Sequence, residues 1–291
     1  ASARCCDSTV LLAGLPLARI ARAQDAFPSR PVRLIAPFPP GGSSDLLSRA
    51  TAEGLTRLLG QPVIVDNRTG AGGTIGLTAV ARAAPDGYTL GFAGIGSLVQ
   101  SAGVYAGRLQ FDVEKDFAPV GLMGATAVVI VASARSGLKT LGELVERARR
   151  NPGRLAYGSA GVGGSLHLAA ELLQRQANVQ MEHVPYRGGG PALTDVMGGQ
   201  IGIAFLDTAT IIGQIANPDI KVLAVASRER FPSMPDVPTT AEAGFPQLVV
   251  EIWLGMVAPR ATPQPVVARL EAASQAIAAG EEFHRFLFQN G

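Results

Sequence analysis

Residues 157–167 read Tyr-Gly-Ser-Ala-Gly-Val-Gly-Gly-Ser-Leu-His, a glycine-rich turn that leads directly into an apolar-periodic segment. Apolar residues precede the turn and recur with helical spacing after it, so the stretch predicts a strand, a loop and a helix with Ser165 as its N-cap. Glycines let the backbone approach a ligand, and the first N–H groups of a helix are unpaired and carry the positive end of its dipole. The stretch is therefore a candidate anion-binding loop.

A similar arrangement lies far upstream. The apolar run Leu34–Ala36 is followed by Pro-Phe-Pro-Pro-Gly-Gly-Ser-Ser-Asp at 37–45 and then by a second helical pattern. Either loop alone is equally compatible with an ordinary strand-to-helix turn, but their occurrence in both halves of the chain favours a ligand. We interpret them as parts of two facing lobes that close on a small carboxylate and bind it without transforming it.

Composition limits the classes of partner. The chain has 291 residues, of which 47% are hydrophobic and 16% charged, as in a globular protein of one large or two ordinary domains. Acidic and basic residues are equal in number after residue 23, so a nucleic-acid partner has no electrostatic support. The uncharged run Val120–Ala132 is shorter than the ~20 residues that span a bilayer and predicts a core strand.

The N-terminus has features of an export signal. Arg4 precedes a short apolar stretch, and residues 21–23 (Ala-Arg-Ala) have the small-x-small form of a signal-peptidase site. Residues 1–23 are therefore predicted to be an imperfect signal peptide of a periplasmic protein, the alternative being an unstructured tail. Both cysteines, Cys5 and Cys6, lie there, so the remainder cannot hold a disulfide, a Cys-ligated zinc or a cysteine nucleophile.

After Gln24, strand-like and helix-like segments alternate with short connections, which predicts an α/β sheet with crossover helices. Residues 120–132 are expected to cross into a second lobe, and residues 252–258 to return the chain. Capping-box patterns predict helix starts at Thr140 and again within 238–242. Glycine loops that follow strands point to the sheet edge where ligands bind in open α/β folds.

Complete catalytic motifs are absent from the sequence, including the Gly-x-Ser-x-Gly elbow, the Gly-x-x-x-x-Gly-Lys phosphate loop and His-Glu-x-x-His. His167, His183 and His284 are too scattered to predict a metal site from spacing. Neither glycine loop has the Gly-x-Gly-x-x-Gly order of a dinucleotide fold, which favours a small anion over a nucleotide. We expect neither a metal nor a cofactor, and no enzymatic activity.

Three polar residues near these loops have two interpretations each. His167 could donate a hydrogen bond to a carboxylate or merely cap its own turn. Asp207 either caps the segment that follows it or lies at the pocket rim and accepts a hydrogen bond from an amine or hydroxyl of the ligand. Asp45 is an N-cap by residue type, and its charge would compete with a bound anion unless it turns back on its own loop.

An ordered series of motifs resembles the Bug family, the substrate-binding proteins of tripartite tricarboxylate transporters. The motifs are Phe-Pro-Pro-Gly-Gly-Ser-Ser-Asp (38–45), Asn-Arg-Thr-Gly-Ala-Gly-Gly (67–73), Pro-Asp-Gly-Tyr-Thr-Leu (85–90), Tyr-Gly-Ser-Ala-Gly-Val-Gly-Gly-Ser (157–165), Val-Pro-Tyr-Arg-Gly-Gly-Gly-Pro-Ala (184–192), Pro-Asp-Val-Pro-Thr-Thr-Ala-Glu-Ala-Gly (235–244) and Trp-Leu-Gly-Met-Val-Ala-Pro (253–259). The resemblance extends from about residue 27 over nearly the whole chain.

The resemblance implies a type II periplasmic-binding-protein fold, in which two α/β lobes enclose a ligand cleft. Lobe 1 would comprise residues 24–122 and 260–291, and lobe 2 residues 123–259. The family usually continues beyond the position of Gly291, so the C-terminal end is expected to be truncated. The implied partners are a small carboxylate (organic acid, amino acid or aromatic acid) and the membrane permease subunits of the transporter, with the binding protein itself a monomer.

The resemblance also implies that both loops grip the carboxylate through backbone N–H groups, hydroxyls and waters. Carried over to this sequence, the ligand-binding residues are Phe38, Gly41, Gly42, Ser43, Asp45, Ser159, Gly161, Gly163, Ser165, His167 and Asp207. Asp207 would set which ligand is accepted. The alternatives are an enzyme that acts on a small anionic substrate and a ligand-sensing module for a signalling partner.

Overall fold

A computed structural model describes residues 27–291; the predicted signal peptide and both cysteines lie outside the described residues. The strands are β1 (Val32–Ala36), β2 (Val63–Asn67), β3 (Thr89–Gly94), β4 (Phe117–Ser133), β5 (Ala156–Ser159), β6 (Glu182–Pro185), β7 (Ile203–Asp207), β8 (Ile220–Val225) and β9 (Glu251–Pro259). The α-helices are α1 (Ser43–Leu59), α2 (Thr74–Ala81), α3 (Ser101–Val104), α4 (Val113–Asp116), α5 (Leu141–Arg150), α6 (Ser165–Ala177), α7 (Gly189–Met197), α8 (Thr208–Ile211), α9 (Gln264–Ala278) and α10 (Glu281–Gln289). A π-helical turn, Ile95–Gln100, follows β3.

Strand pairing divides the fold into two α/β lobes. The strand order is β2-β1-β3-β9-β4-β7-β5-β6, with β8 pairing β4. β1 runs parallel to β2 and β3 in the first lobe, and β5 runs parallel to β6 and β7 in the second. β4 pairs with β9 over Phe117–Ala127 and then with β7 over Val128–Ala132. The predicted crossing strand is thus confirmed, and β4 and β9 connect the lobes.

The second half of β4 lies between two hydrophobic layers. Its side chains alternate between the two faces of the sheet, as the two-residue period of a strand requires. Val128, Ile130 and Ala132 belong to the cluster that also contains side chains of α5 and α6. Val129 and Val131 belong to the cluster formed with α7. Burial on both faces explains why this stretch of sequence is uniformly apolar.

Two predicted helix starts were wrong. Ser165 is the first residue of α6 and not its N-cap, because Gly164 adopts the extended cap conformation in its place. Residues 240–244 form only a turn, although Thr239 and Glu242 make the reciprocal hydrogen bonds of a capping box. Gly244, the last residue of that turn, takes a left-handed φ of 95°, a conformation that ends helices.

Two substitutions on β4 test how strongly the crossing strand depends on burial. Ile130 is fully buried, whereas Leu122 on the same strand is 64% exposed. We expect Ile130→Ala to lower the free energy of unfolding by about 2–5 kcal/mol and Leu122→Ala to change it by less than about 0.5 kcal/mol. Urea unfolding followed by circular dichroism measures both, and equal losses in the two variants would contradict this account of β4.

Candidate ligand-binding site

A cavity of about 70 Å³ lies between the two lobes. The first lobe contributes the loop after β1 and the turn after β3, and the second contributes the loops after β5 and β6 together with Asp207 at the end of β7. Ile252 and Leu254 of β9 supply apolar lining. The cavity therefore lies at the carboxyl ends of strands from both lobes, the usual position of ligands in open α/β sheets.

Three helices begin at this cavity. Their N-cap residues are Gly42 for α1, Gly164 for α6 and Gly188 for α7, and none of these helices has a side-chain cap. An uncapped N-terminus leaves backbone N–H groups without partners and carries roughly half a positive charge. No Lys, Arg or His lines the cavity within the described residues, so its positive potential comes from backbone dipoles. Such a site suits an anion.

The turn that begins α7 was not assigned to the site from the sequence. Gly188, Gly189 and Gly190 all line the cavity. A Cβ on Gly188 would lie 2.9 Å from Cδ of Pro39, and one on Gly189 would lie 2.8 Å from Oγ1 of Thr210. Only glycine permits this close approach. The glycine run before Pro191 was visible in the sequence, but its position beside the first loop depends on the tertiary fold.

The predicted binding residues fall into two groups. Those that line the cavity are Phe38, Gly42, Ser43, Gly161, Ser165 and Asp207. Those that lie in the same loops or helix starts without lining it are Gly41, Asp45, Ser159, Gly163 and His167. Ser44 and Ser97 also line the cavity and were not predicted. The Ser44 hydroxyl is buried and has no hydrogen-bond partner among residues 27–291, which leaves it available to a ligand.

Asp45 turns back on its own loop. Its carboxylate accepts hydrogen bonds from the Gly41 N–H at 3.1 Å and Asn67 Nδ2 at 2.9 Å, and it pairs with Arg49 at 2.9 Å. Burial acts to raise the pKa of Asp45, but the Arg49 and Asn67 hydrogen bonds, the Gly41 amide and the charge of Arg49 outweigh it and hold the pKa below its ordinary value. The carboxylate therefore shapes the first loop and does not occupy the anion site.

The second loop is supported by aromatic rings. His167 Nδ1 accepts the Gly163 N–H at 3.0 Å, so His167 caps its own turn. Its ring stacks on His183 with centroids 4.1 Å apart, and His183 stacks in turn on the buried Tyr157. His183 Nε2 also lies 2.7 Å from Ser159 Oγ, at the end of β5. The rings and the serine thus support the loop without lining the cavity.

Both histidines of this stack are predominantly neutral near pH 7. Burial and the neighbouring charge of His167 lower the pKa of His183 to about 4, against a smaller opposing effect of Glu171. Burial also lowers the pKa of His167, again opposed by Glu171. The second lobe therefore presents dipoles and hydroxyls to the cavity and no formal positive charge.

Asp207 both caps a helix and lines the cavity. Its Oδ1 accepts hydrogen bonds from the backbone N–H of Thr210 at 2.8 Å and from Thr210 Oγ1 at 2.9 Å. Burial raises the pKa of Asp207 above its ordinary value, although the Thr210 hydrogen bonds oppose the shift. Among the described residues that line the cavity, Asp207 carries the one ionisable side chain.

Contacts between the lobes enclose the cavity. The Tyr105 hydroxyl donates to the Val162 carbonyl at 2.8 Å, and Ser165 Oγ donates to Gln100 Oε1 at 2.8 Å. A Cβ on Gly163 would lie 2.6 Å from Cγ1 of Val104, so the second loop packs with its backbone against a side chain of α3. Local sequence patterns could not predict these two hydrogen bonds, because each joins residues about 60 positions apart.

The described part of the chain, residues 27–291, lacks two other structural features. No helix there has the length and apolar character needed to cross a membrane. No group of three or more His, Cys, Asp or Glu side chains in that part of the chain is placed to hold a metal ion.

Two α/β lobes, two crossing strands and a cavity at their helix N-termini define a solute-binding protein of the periplasmic-binding class. The chain belongs to the tripartite tricarboxylate transporter family receptors (TctC), whose family profile matches residues 47–291. This family is one of substrate-binding transport receptors. The predicted fold class is confirmed.

Relatives support this assignment. A protein encoded in the tcbD-tcbE intergenic region of Pseudomonas sp. (strain P51) is 42% identical over 282 residues, covering 92% of this chain and 82% of the relative. BugT of Bordetella pertussis is 35% identical over 246 residues, covering 84% of this chain and 76% of BugT. The predicted resemblance to the Bug family is thereby confirmed.

Two solved structures from Rhodopseudomonas palustris contain ligands. MatC (Rpa3494) with bound malate has a TM-score of 0.86 and 34% identity, covering 91% of this chain and 90% of that chain. Rpa4515 with adipate has a TM-score of 0.87 and 30% identity, covering 91% of this chain and 88% of that chain. At these identities the likeness extends beyond the fold to the sequence.

Asp45→Asn tests the support of the first loop. Because the folded-state pKa of Asp45 is depressed below its ordinary value of 3.8, the ionised group stabilises the fold above that value, and this stability is lost as the pH falls through the folded-state pKa. We expect Asp45→Asn to lower the free energy of unfolding at pH 7 by about 1–3 kcal/mol. The difference from the parent protein should shrink below about pH 4.

Urea unfolding between pH 3 and pH 7 measures this difference. Glu53→Gln is the matched control, because Glu53 lies on the same helix with its side chain 71% exposed. A difference between parent and Asp45→Asn that stays constant down to pH 3 would contradict the assigned role of the carboxylate.

Proposed function

We propose that this protein is a periplasmic solute-binding protein that captures a small carboxylate between its lobes and delivers it to a membrane permease of the tripartite tricarboxylate type. The convergence of three uncapped helix N-termini from both lobes on one cavity carries the proposal. A bound carboxylate supplies the negative charge that these N-termini favour. Family membership supports the transport role.

The ligand that we propose is a small organic acid. The similar proteins MatC and Rpa4515 were solved with malate and adipate, two dicarboxylates. The cavity of this protein offers serine hydroxyls and backbone N–H groups to a carboxylate, and the apolar side chains of Ile252 and Leu254 to a short carbon chain. Amino acids and aromatic acids remain within the proposed class and belong in any ligand screen.

The direct ligand contacts that we propose are Phe38, Gly42, Ser43, Gly161, Ser165 and Asp207. Gly41, Asp45, Ser159, Gly163 and His167 would act by shaping the loops, as their hydrogen bonds and close backbone contacts suggest. The Gly188–Gly190 turn is added to the proposed site because it lines the same cavity at the start of α7.

We also propose where the protein acts, which membrane proteins it serves and where its two lobes divide. Export to the periplasm rests on the predicted signal peptide at 1–23, and delivery to permease subunits rests on the family. The boundaries predicted at about residues 122 and 259 remain a proposal. Strand pairing supports a division near residue 122, since β4 pairs with β9 up to Ala127 and with β7 from Val128 onward. We propose a monomer.

Thermal unfolding with a panel of organic, amino and aromatic acids tests the proposed function. A ligand that binds only the folded state raises its stability by about 2.7 kcal/mol at one hundred times its Kd. We expect the melting temperature to rise with the concentration of at least one carboxylate, and mass spectrometry to recover that acid unchanged. A panel that leaves the melting curve unmoved would argue against carboxylate binding, and a modified acid would argue for an enzyme.

Gly190→Ala tests the location of the site. Gly190 lines the cavity, and a Cβ there would meet no heavy atom within 4 Å, so alanine fits the fold, and we expect its methyl group to take up ligand space. We expect the affinity for the bound acid to fall by about 1–3 kcal/mol, the usual cost of an inserted methyl group, with an unchanged melting temperature of the free protein. Isothermal titration calorimetry measures the affinity.

The matched control is Gly103→Ala, because a Cβ on Gly103 also meets no heavy atom within 4 Å but Gly103 lies outside the cavity. Equal affinities in the Gly190→Ala and Gly103→Ala variants would place the ligand elsewhere.

A further inference from the structure

Asp207 introduces an electrostatic conflict into a cavity built for an anion. The cavity is lined by backbone dipoles and hydroxyls that favour negative charge, and it also holds the carboxyl group of Asp207. The residue is only 7% exposed, so water screens its charge poorly. A ligand carboxylate in the same small cavity would bring a second negative charge close to it.

No cation in the described residues neutralises Asp207, which takes part in none of the ion pairs there. β4, which pairs with β7 beside Asp207, has no ionisable residue, and neither has α8. On α1, Asp45 and Arg49 pair with each other. On α7, Asp195 accepts the Tyr186 hydroxyl at 2.7 Å.

On α6, His167 accepts the Gly163 N–H and lies 3.7 Å from Glu171. Glu171 in turn accepts the Tyr157 hydroxyl at 2.7 Å. These groups satisfy one another behind the second loop. Beyond the helix N-termini, a second negative charge near Asp207 can be offset by a proton or by the ligand itself.

The hydrogen bonds of Asp207 show where a proton could be held. Oδ1 accepts both hydrogen bonds from Thr210, and neither of them reaches Oδ2. The Ser43 side chain, which lines the same cavity, is a further hydrogen-bond partner of the carboxyl group. A proton on Oδ2 would remove the repulsion between the two carboxyl groups and turn an acceptor into a donor. Two carboxyl groups that share one site commonly hold a single proton between them for this reason.

We propose that Asp207 couples ligand binding to proton uptake: a carboxylate enters with one proton from solvent, which Asp207 Oδ2 holds and donates to a ligand oxygen. The inference rests on the proposed function, because it requires a carboxylate ligand. It assigns Asp207 a preference for ligands that present an acceptor, such as a second carboxylate. A ligand with an ammonium group would instead pair with ionised Asp207 and take up no proton.

Calorimetric titration in buffers of different ionisation enthalpy tests this coupling, because the observed heat then reports the number of protons exchanged. The probes are malate, adipate and aspartate, titrated between pH 5 and pH 9. We expect uptake that approaches one proton for malate or adipate within this range. The affinity should weaken as pH rises, by up to tenfold per pH unit where uptake is complete.

Asp207→Asn separates uptake at this residue from uptake by the ligand. The amide can still cap α8 and donate to a ligand oxygen, so we expect binding to persist, with proton uptake lost and an affinity that no longer varies with pH. Asp219→Asn is the control, since Asp219 is exposed and lies outside the cavity; it should retain uptake. The measurement on the parent protein stands even if Asp207→Asn fails to fold.

The outcomes are distinct. Binding of malate or adipate without proton uptake at any pH overturns the inference and leaves the proposed function intact. Uptake that survives in Asp207→Asn also overturns it, because the proton then resides elsewhere. Strong binding of aspartate alone, without uptake, would also overturn the inference, because Asp207 would then pair with an ammonium group in its ionised form. Absence of binding by the three probes and by the wider acid panel would contradict the proposed function itself.

Discussion

Three helix N-termini without side-chain caps meet at one cavity, and much of this structure keeps their first backbone N–H groups available to a ligand. The cap positions are glycines, so no side chain satisfies the first backbone N–H groups. The acid nearest to one of them, Asp45, is drawn away by Gly41, Arg49 and Asn67. The positive ends of α1, α6 and α7 therefore have no side-chain cap and border one cavity that an anion can fill.

The rest of the fold fixes the positions of these helix starts. Parallel strands in each lobe bring the loops after β1, β5 and β6 to the same edge, and β4 and β9 hold the two edges opposite each other. Rigidity behind the second loop comes from the stacked rings of Tyr157, His183 and His167. Because burial keeps both histidines predominantly neutral near pH 7, they support the loop without adding a fixed charge beside the ligand.

Local sequence patterns predicted the elements but not the contacts between them. β1, β4 and the helix after the central glycine loop were foreseen because apolar periodicity and caps are local properties. The predicted N-cap at Ser165 was wrong because the Ser165 hydroxyl donates a hydrogen bond to Gln100, a residue 65 positions earlier in the chain. The Gly188–Gly190 turn and the Tyr105 bridge were missed for the same reason, since proximity to Pro39 and Val162 arises only in the folded chain.

The positive potential of the cavity comes from helix dipoles and not from a lysine or arginine, and this affects how a bound acid would be released. A cation on one lobe would continue to attract the acid after the lobes separated. Here α1 belongs to the first lobe, whereas α6 and α7 belong to the second, so the positive potential is complete only while the lobes are together. Helix-end effects act within about one turn of the terminus. Separation of the lobes would therefore withdraw the contribution of α1 from a ligand held by α6 and α7, and this weaker attraction fits the proposed capture and release of a carboxylate.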